Sequence, residues 1–360
     1  MNLSEESVIK ALSTVIEPDF KKDLVSLNMI RNIVIEGNNL SFTVVLTTPA
    51  CPLKDRIDRE CREAIALHFE SKPEVKIEMI AEVISNRSDK LVLPGVRNII
   101  AVISGKGGVG KSTVAANLAV GLSAAGAKVG LLDADIHGPS VPLMFGIHET
   151  PEIREEEGKQ WMVPLERHGI KLMSIGFMVD PDQAIVWRGP MISSALRQFV
   201  SETDWGELDY LVLDMPPGTG DIHLTMAQII PLSGVVIVTT PQEVATADAV
   251  KSAMMFEMMP NKVPVIGIVE NMSWFTPEEL PGSRYLIFGK GGGQFLAAKT
   301  GAPLLAQVPL IMSVRDGADK GLPAVMDSAG EAYTVFVDLA KEVARRLSIL
   351  SAERNIEQNA

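Results

Sequence analysis

The sequence predicts a doubly wound, mostly parallel α/β sheet preceded by a small α/β unit of order α-β-β-α-β. Three observations carry this. Short apolar runs (Ile99–Ile103, Lys128–Leu132, Tyr210–Leu213, Gly234–Thr239 and Val265–Val269) end in turn signals and alternate with long helical segments, as strands buried on both faces do. A glycine-rich loop follows the first run, ahead of a helical segment, Val114 to Ala125. Carboxylates stand just after the second and third runs, where the carboxyl ends of parallel strands line a ligand crevice.

The elements before the sheet follow in order. Ser4 to Ile16 has helical spacing, with Val8, Leu12 and Val15 on one stripe. Glu17-Pro18-Asp19 stops it. Two strand-like runs, Leu24 to Ile35 and Leu40 to Thr47, flank the hairpin signal Gly37-Asn38-Asn39. Pro52 to Glu70 reads as an amphipathic helix and Val75 to Ile84 as a last strand. Residues 1–85 are thus expected to form the small domain, 86–96 a linker, 97–350 the large domain and 351–360 a frayed polar tail. Within the large domain, Glu152 to Lys171 reads as an irregular hairpin turning at Glu157-Gly158-Lys159, and 327–350 as a closing helix.

Bulk properties bound the function. A chain of 360 residues, 46% hydrophobic and 22% charged, has the composition of a globular protein. The net charge of −12 and pI near 5.0 argue against a broad nucleic-acid face. The opening residues MNLSEESVIK lack the basic and apolar regions of a secretory leader. No apolar run reaches the length of a membrane span. Two cysteines do not make a disulfide framework. A cytoplasmic protein with neither membrane nor nucleic acid as partner is expected.

The strongest chemical signal is the stretch Ile103 to Thr113, which contains G-x-x-x-x-G-K-[ST] from Gly105 to Ser112. Glycines let successive amides of Gly105, Lys106, Gly107, Gly108, Val109, Gly110, Lys111, Ser112 and Thr113 turn toward phosphate oxygens. The following helix adds partial positive charge at its start. Lys111 brings an ammonium to the terminal phosphates of ATP, and Ser112 a hydroxyl to Mg²⁺. Asp214 is a second candidate Mg²⁺ partner, and Asp133 a third. Asp133 and Asp135 could also orient the attacking water. Met215-Pro216-Pro217-Gly218-Thr219-Gly220-Asp221 reads as a segment able to sense the γ-phosphate. The stretch predicts a P-loop NTPase domain.

A second lysine, Lys106, directly follows the first glycine. In this the loop resembles the deviant Walker A of the MinD, ParA and nitrogenase iron-protein class. The resemblance implies a nucleotide-bridged homodimer, in which Lys106 acts on the partner's phosphates and Asp135 organises the water. Further motifs narrow it: Asp133 to Ser140, Trp187-Arg188-Gly189-Pro190, Asp214 to Asp221, Thr240-Pro241-Gln242-Glu243 and Glu270-Asn271-Met272-Ser273. Together they resemble the Mrp/ApbC iron–sulfur cluster carriers over about residues 97–345, which implies contact of Asn271 with adenine. Asp23 to Leu27 and Thr47 to Pro52 give the first domain a likeness to the iron–sulfur assembly domain found before that ATPase. The expected function is ATP-driven transfer of clusters to apoprotein clients. The alternative is a MinD/ParA-type positioning ATPase without a cluster.

One departure stands out. Many such carriers have C-x-x-C soon after the N-M-S segment, where a dimer holds a [4Fe–4S] cluster. Here the stretch reads Trp274 to Leu280 without cysteine. Four thiolates are the usual ligand set, and this chain has only Cys51 and Cys61. Cys51 precedes Pro52 at an expected helix start, where a thiolate would be favoured. It is either a cluster ligand or an unreactive turn residue. Cys61 lies on an apolar stripe and reads as core. His137 and His223 read as turn and packing residues, Met254, Met255, Met258 and Met259 as fillers of core gaps or a helix interface, and Lys290 to Gly293 as a flexible helix entry.

Overall fold

In a computed structural model the chain divides into two compact units, residues 1–84 with 344–360, and residues 85–343. The structure describes all residues except 1, 2, 86, 88–91, 137, 157, 179–188, 260, 261, 278, 281, 359 and 360. Trp187, Arg188, His137 and residues 86 and 88–91 of the expected linker therefore lie outside the described residues.

The first unit begins with α1 (Glu5–Leu12), capped by Ser4. A short pair, β1 (Ile16–Glu17) and β2 (Lys22–Asp23), follows. A three-stranded sheet of β3 (Ile30–Glu36), β4 (Asn39–Leu46) and, after α2 (Lys54–His68), β5 (Glu74–Ala81) completes it. The expected strand from Leu24 begins only at Ile30. Leu24 is instead buried in a turn where Asp23 accepts from the amide and hydroxyl of Ser26. The core holds Val8, Leu12, Phe42, Ile57, Cys61 and Phe69.

The second unit contains an eight-stranded sheet. Its elements are β6 (Val96–Ile103), α3 (Lys111–Ala124), β7 (Val129–Asp133), α4 (Val141–Phe145), the hairpin β8 (Ile153–Glu156) and β9 (Lys159–Met162), β10 (Leu165–Arg167), β11 (Ile170–Ser174), α5 (Gly189–Ser201), β12 (Leu208–Asp214), α6 (Asp221–Ile229), β13 (Gly234–Thr239), α7 (Glu243–Glu257), β14 (Val265–Phe275), α8 (Gly292–Thr300), β15 (Leu304–Leu310), α9 (Met312–Asp319) and the first part of α10 (Glu331–Gln358), whose residues from 344 belong to the first unit. The strand order is β10-β11-β7-β12-β6-β13-β14-β15. Only the β10–β11 pair is antiparallel. This is the doubly wound, mostly parallel architecture expected.

The expected single hairpin over 152–171 is two hairpins. The second contributes β11 to the main sheet as a parallel neighbour of β7. The expected frayed tail is also different: α10 continues helical through Gln358, because residues 351–358 hold neither Gly nor Pro to stop it. Among the described residues no helix is long and apolar enough to cross a membrane.

Candidate functional site

Register builds the site. Ser174, Asp133, Asp214 and Val102 lie level across the neighbouring strands β11, β7, β12 and β6. Directly paired residues share a face of the sheet, so Asp133 and Asp214 stand side by side, both fully buried. The phosphate loop leaves β6 just beyond this level. Gly108 and Gly110 adopt φ of +81°, in the left-handed region that favours glycine. Val109 anchors the loop in the core, while Lys106, Gly107 and Gly108 are exposed. The hydroxyl of Ser104 donates to the Lys106 carbonyl at 2.9 Å. A Cβ on Gly105 would come within 2.3 Å of the Asp248 backbone in α7, so only glycine lets α7 pack against the loop.

Lys111, 6% exposed, turns its ammonium to Asp214 Oδ1 and lies 3.2 Å from Ser112 Oγ. Burial pushes the Asp214 pKa up although Lys111 opposes it. The Asp133 pKa is also raised, by burial first and by the Asp214 carboxylate second. Asp133 accepts from the amides of Asp135 and Val141, each at 3.1 Å, and from Ser174 Oγ at 3.0 Å. Through both oxygens, Asp133 shapes the loop after β7. Asp214 Oδ2, by contrast, is buried without a hydrogen-bond partner among the described residues. That orphan oxygen, beside the Ser112 hydroxyl, suits a small hard cation. Asp135 is half-buried at the rim. Ser174 carries no motif, and only its place at a strand end could have pointed to it.

Asn271 is buried, and its Nδ2 donates to the Val109 carbonyl at 2.9 Å. Here it holds the phosphate loop. Its neighbour Glu270 accepts from Ser273 Oγ, Gln307 Nε2 and, at 2.6 Å, the Gly293 amide. Gly292 is pressed against Pro241, so the expected flexible entry to α8 is pinned. Met254 and Met258 are 53% and 81% exposed. With Met255 and Met259, which pack against the core, they line a cavity of about 650 Å³ against Leu224 and Gln228 of α6, the helix interface that is one of the two expected readings.

Comparison with known proteins gives this geometry a context. A model described as the NUBPL iron-transfer P-loop NTPase matches residues 95–344. The chain belongs to that family. An iron–sulfur cluster assembly protein model matches residues 5–78. The "Iron-sulfur cluster carrier protein" of Synechocystis sp. is 46% identical over 350 residues, covering 96% of this chain and 99% of that one. Its namesake in Escherichia coli is 53% identical over 254 residues, 70% of this chain and 68% of that one. Among solved structures, the nucleotide-binding protein of Archaeoglobus fulgidus in complex with ADP is 38% identical. It covers 68% of this chain and 93% of that one, with a TM-score of 0.57. The likeness to Mrp/ApbC-type carriers read from the motifs is borne out.

Within this NUBPL-type chain the cysteines sit in the first unit. Cys61 is fully buried and its thiol is pushed up to about 12, chiefly by burial. Cys51 is half-buried. The helix after it begins only at Lys54, without a side-chain cap. Burial raises the Cys51 pKa, and the Glu17 and Asp19 carboxylates add to this. The thiolate expected from a helix start is therefore not favoured. Asp19 is itself clasped by Arg345. Where many carriers have C-x-x-C, Trp274 and Phe275 extend β14, Arg284 lies 4.2 Å over the Trp274 ring, and Phe275 bridges Tyr285.

Proposed function

We propose that this chain is an iron–sulfur cluster carrier that binds and hydrolyses ATP as a homodimer and hands clusters to apoprotein clients. The observation that carries this is the buried Lys111–Asp214 pair under an ordered phosphate loop, in a chain alike along its length to a cluster carrier. On this reading residues 1–85 are the assembly domain, 86–96 the linker and 97–350 the ATPase, working in the cytoplasm.

The chemistry follows from the groups present. The triphosphate lies on the amides of Gly105 to Thr113, and Lys111 exchanges Asp214 for phosphate oxygens. That exchange frees Asp214, with Ser112, to hold Mg²⁺. When bound, Mg²⁺ neutralises charge on the phosphate oxygens. Asp135 orients the attacking water, and the exposed Lys106 reaches the phosphates of the other copy. Asn271 fixes the loop through Val109 and borders the adenine. ATP closes the dimer because the γ-phosphate makes contacts in one state that it lacks in the other.

The cargo is a cluster, for which [4Fe–4S] is the type proposed. Two copies bring two Cys51 thiols, and a client or a small thiol supplies the rest. Because Cys51 is held protonated, iron capture there releases a proton. Anaerobic reconstitution of wild type, Cys51→Ala and Cys61→Ala, with iron and sulfide counted per dimer, tests the ligand. Wild type and Cys61→Ala should load alike and Cys51→Ala should lose most of its cluster. Equal loading in all three removes Cys51 from the mechanism.

A further inference from the structure

Behind the γ-phosphate-sensing segment sits a buried histidine that none of the roles above uses. His223 lies in the first turn of α6 and is 1% exposed. Its Nε2 is 2.9 Å from the Pro216 carbonyl oxygen. A carbonyl only accepts, so Nε2 carries the proton. Nδ1 is buried and has no hydrogen-bond partner among the described residues. Burial lowers the ring's pKa, ahead of the Pro216 and Gly220 carbonyls, which pull it up; the Lys111 ammonium lowers it further. The ring is a neutral donor of fixed tautomer.

The segment it holds has few other attachments. Prolines 216 and 217 have no N–H to offer. The amides on either side of them reach β6 and the residue after it: Met215 to the Val102 carbonyl at 3.1 Å, Gly218 to the Ser104 carbonyl at 2.9 Å. Pro216 is buried, whereas Pro217, Thr219 and Gly220 are exposed. The Pro217 ring lies 3.9 Å from where a Cβ on Gly107 would be, so the exposed stretch lies against the phosphate loop.

We propose that His223 is a positioning residue for ATP hydrolysis: its Nε2–H pins the Pro216 carbonyl and so holds Pro217, Gly218 and Thr219 against Gly107, where the γ-phosphate is sensed. This rests on the reading of the chain as an ATPase. The phosphate-gripping amides are not moved by His223, so its loss acts on turnover and not on nucleotide affinity. Glutamine has an N–H able to reach the same carbonyl, whereas alanine has none.

The test compares steady-state ATP hydrolysis by full-length wild type, His223→Ala and His223→Gln. His223→Ala should lose about 5-fold or more in kcat, the factor one ordinary hydrogen bond is worth. Its KM for ATP should stay within about 2-fold, and His223→Gln should keep kcat within about 3-fold. Normal turnover by His223→Ala overturns the proposal, as does equal failure of both variants or a change confined to KM. Nitrogen-15 spectra of the five histidines, with His223 assigned by its loss in His223→Gln, report the tautomer in wild type. An Nδ1–H tautomer overturns the proposal even if His223→Ala does not fold. Absent turnover in wild type counts against the ATPase reading instead. Hydrogen exchange then decides this one: the Gly218 to Gly220 amides must exchange faster in His223→Ala and not in His223→Gln.

Discussion

Removing the Lys111 ammonium should destabilise the nucleotide-free protein in a pH-dependent way. Lys111→Ala leaves Asp214, fully buried, facing Asp133 with no cation beside it. Breaking a buried pair from one side costs about 3–5 kcal/mol. For a unit of this size that lowers the thermal midpoint by roughly 6–20 °C. Asp214 escapes the cost by taking a proton, and its folded pKa already lies above the ordinary carboxylate value. A carboxyl with a raised folded pKa costs nothing below its unfolded pKa. Its penalty grows as pH rises from there and levels off above the folded pKa. The deficit of Lys111→Ala should therefore be larger at alkaline pH and shrink on acidification. Circular-dichroism melts in a chelator without nucleotide measure it. Adding Asp214→Asn to Lys111→Ala should recover most of the loss. A single variant as stable as wild type at the higher pH, or a deficit that does not shrink on acidification, refutes the reasoning.

Three further outcomes follow from the same geometry. Gly105→Ala drives a methyl into the α7 backbone and should cost about 1–3 kcal/mol, whereas Gly107→Ala, with Pro217 at 3.9 Å as its nearest neighbour, should melt like wild type; equal midpoints for both disprove the close packing. Asn271→Ala orphans the buried Val109 carbonyl, a loss of about 1 kcal/mol or more. Calorimetry should then show ATP binding weakened about 5-fold or more, and an unchanged affinity would remove Asn271 from the loop's support. Iodoacetamide should label Cys51 slowly near neutral pH, faster as pH rises through the raised thiol pKa, and Cys61 only after unfolding; peptide mapping that finds Cys61 modified in the native protein contradicts its burial.

The parallel sheet was legible because strands covered on both faces are written as apolar runs, and those runs gave β6, β7, β12, β13 and the start of β14. The phosphate loop was legible because its glycines and lysine are dictated by phosphate chemistry. What lay hidden depends on contacts between distant segments. Ile170–Ser174 joins the sheet only because β7 offers it a parallel edge, which no local pattern announces. Asn271 supports Val109 across 162 positions of sequence. The helix-start context of Cys51 spoke for a thiolate, one of two readings left open, yet burial first, and then Glu17 and Asp19, brought in by the fold, act the other way. His223 read as packing because a single histidine says nothing about the carbonyl it will meet.

The most direct test is cluster delivery. Reconstituted, desalted protein is mixed anaerobically with an apo-dehydratase that needs a [4Fe–4S] cluster, in the presence of an iron chelator, with and without ATP and Mg²⁺. Recovered dehydratase activity that tracks the clusters supplied, responds to ATP and Mg²⁺ in wild type, and loses that response in Lys111→Ala is the predicted result. A protein that retains no iron and sulfide after desalting, or that restores no activity beyond free iron and sulfide under the chelator, contradicts the account.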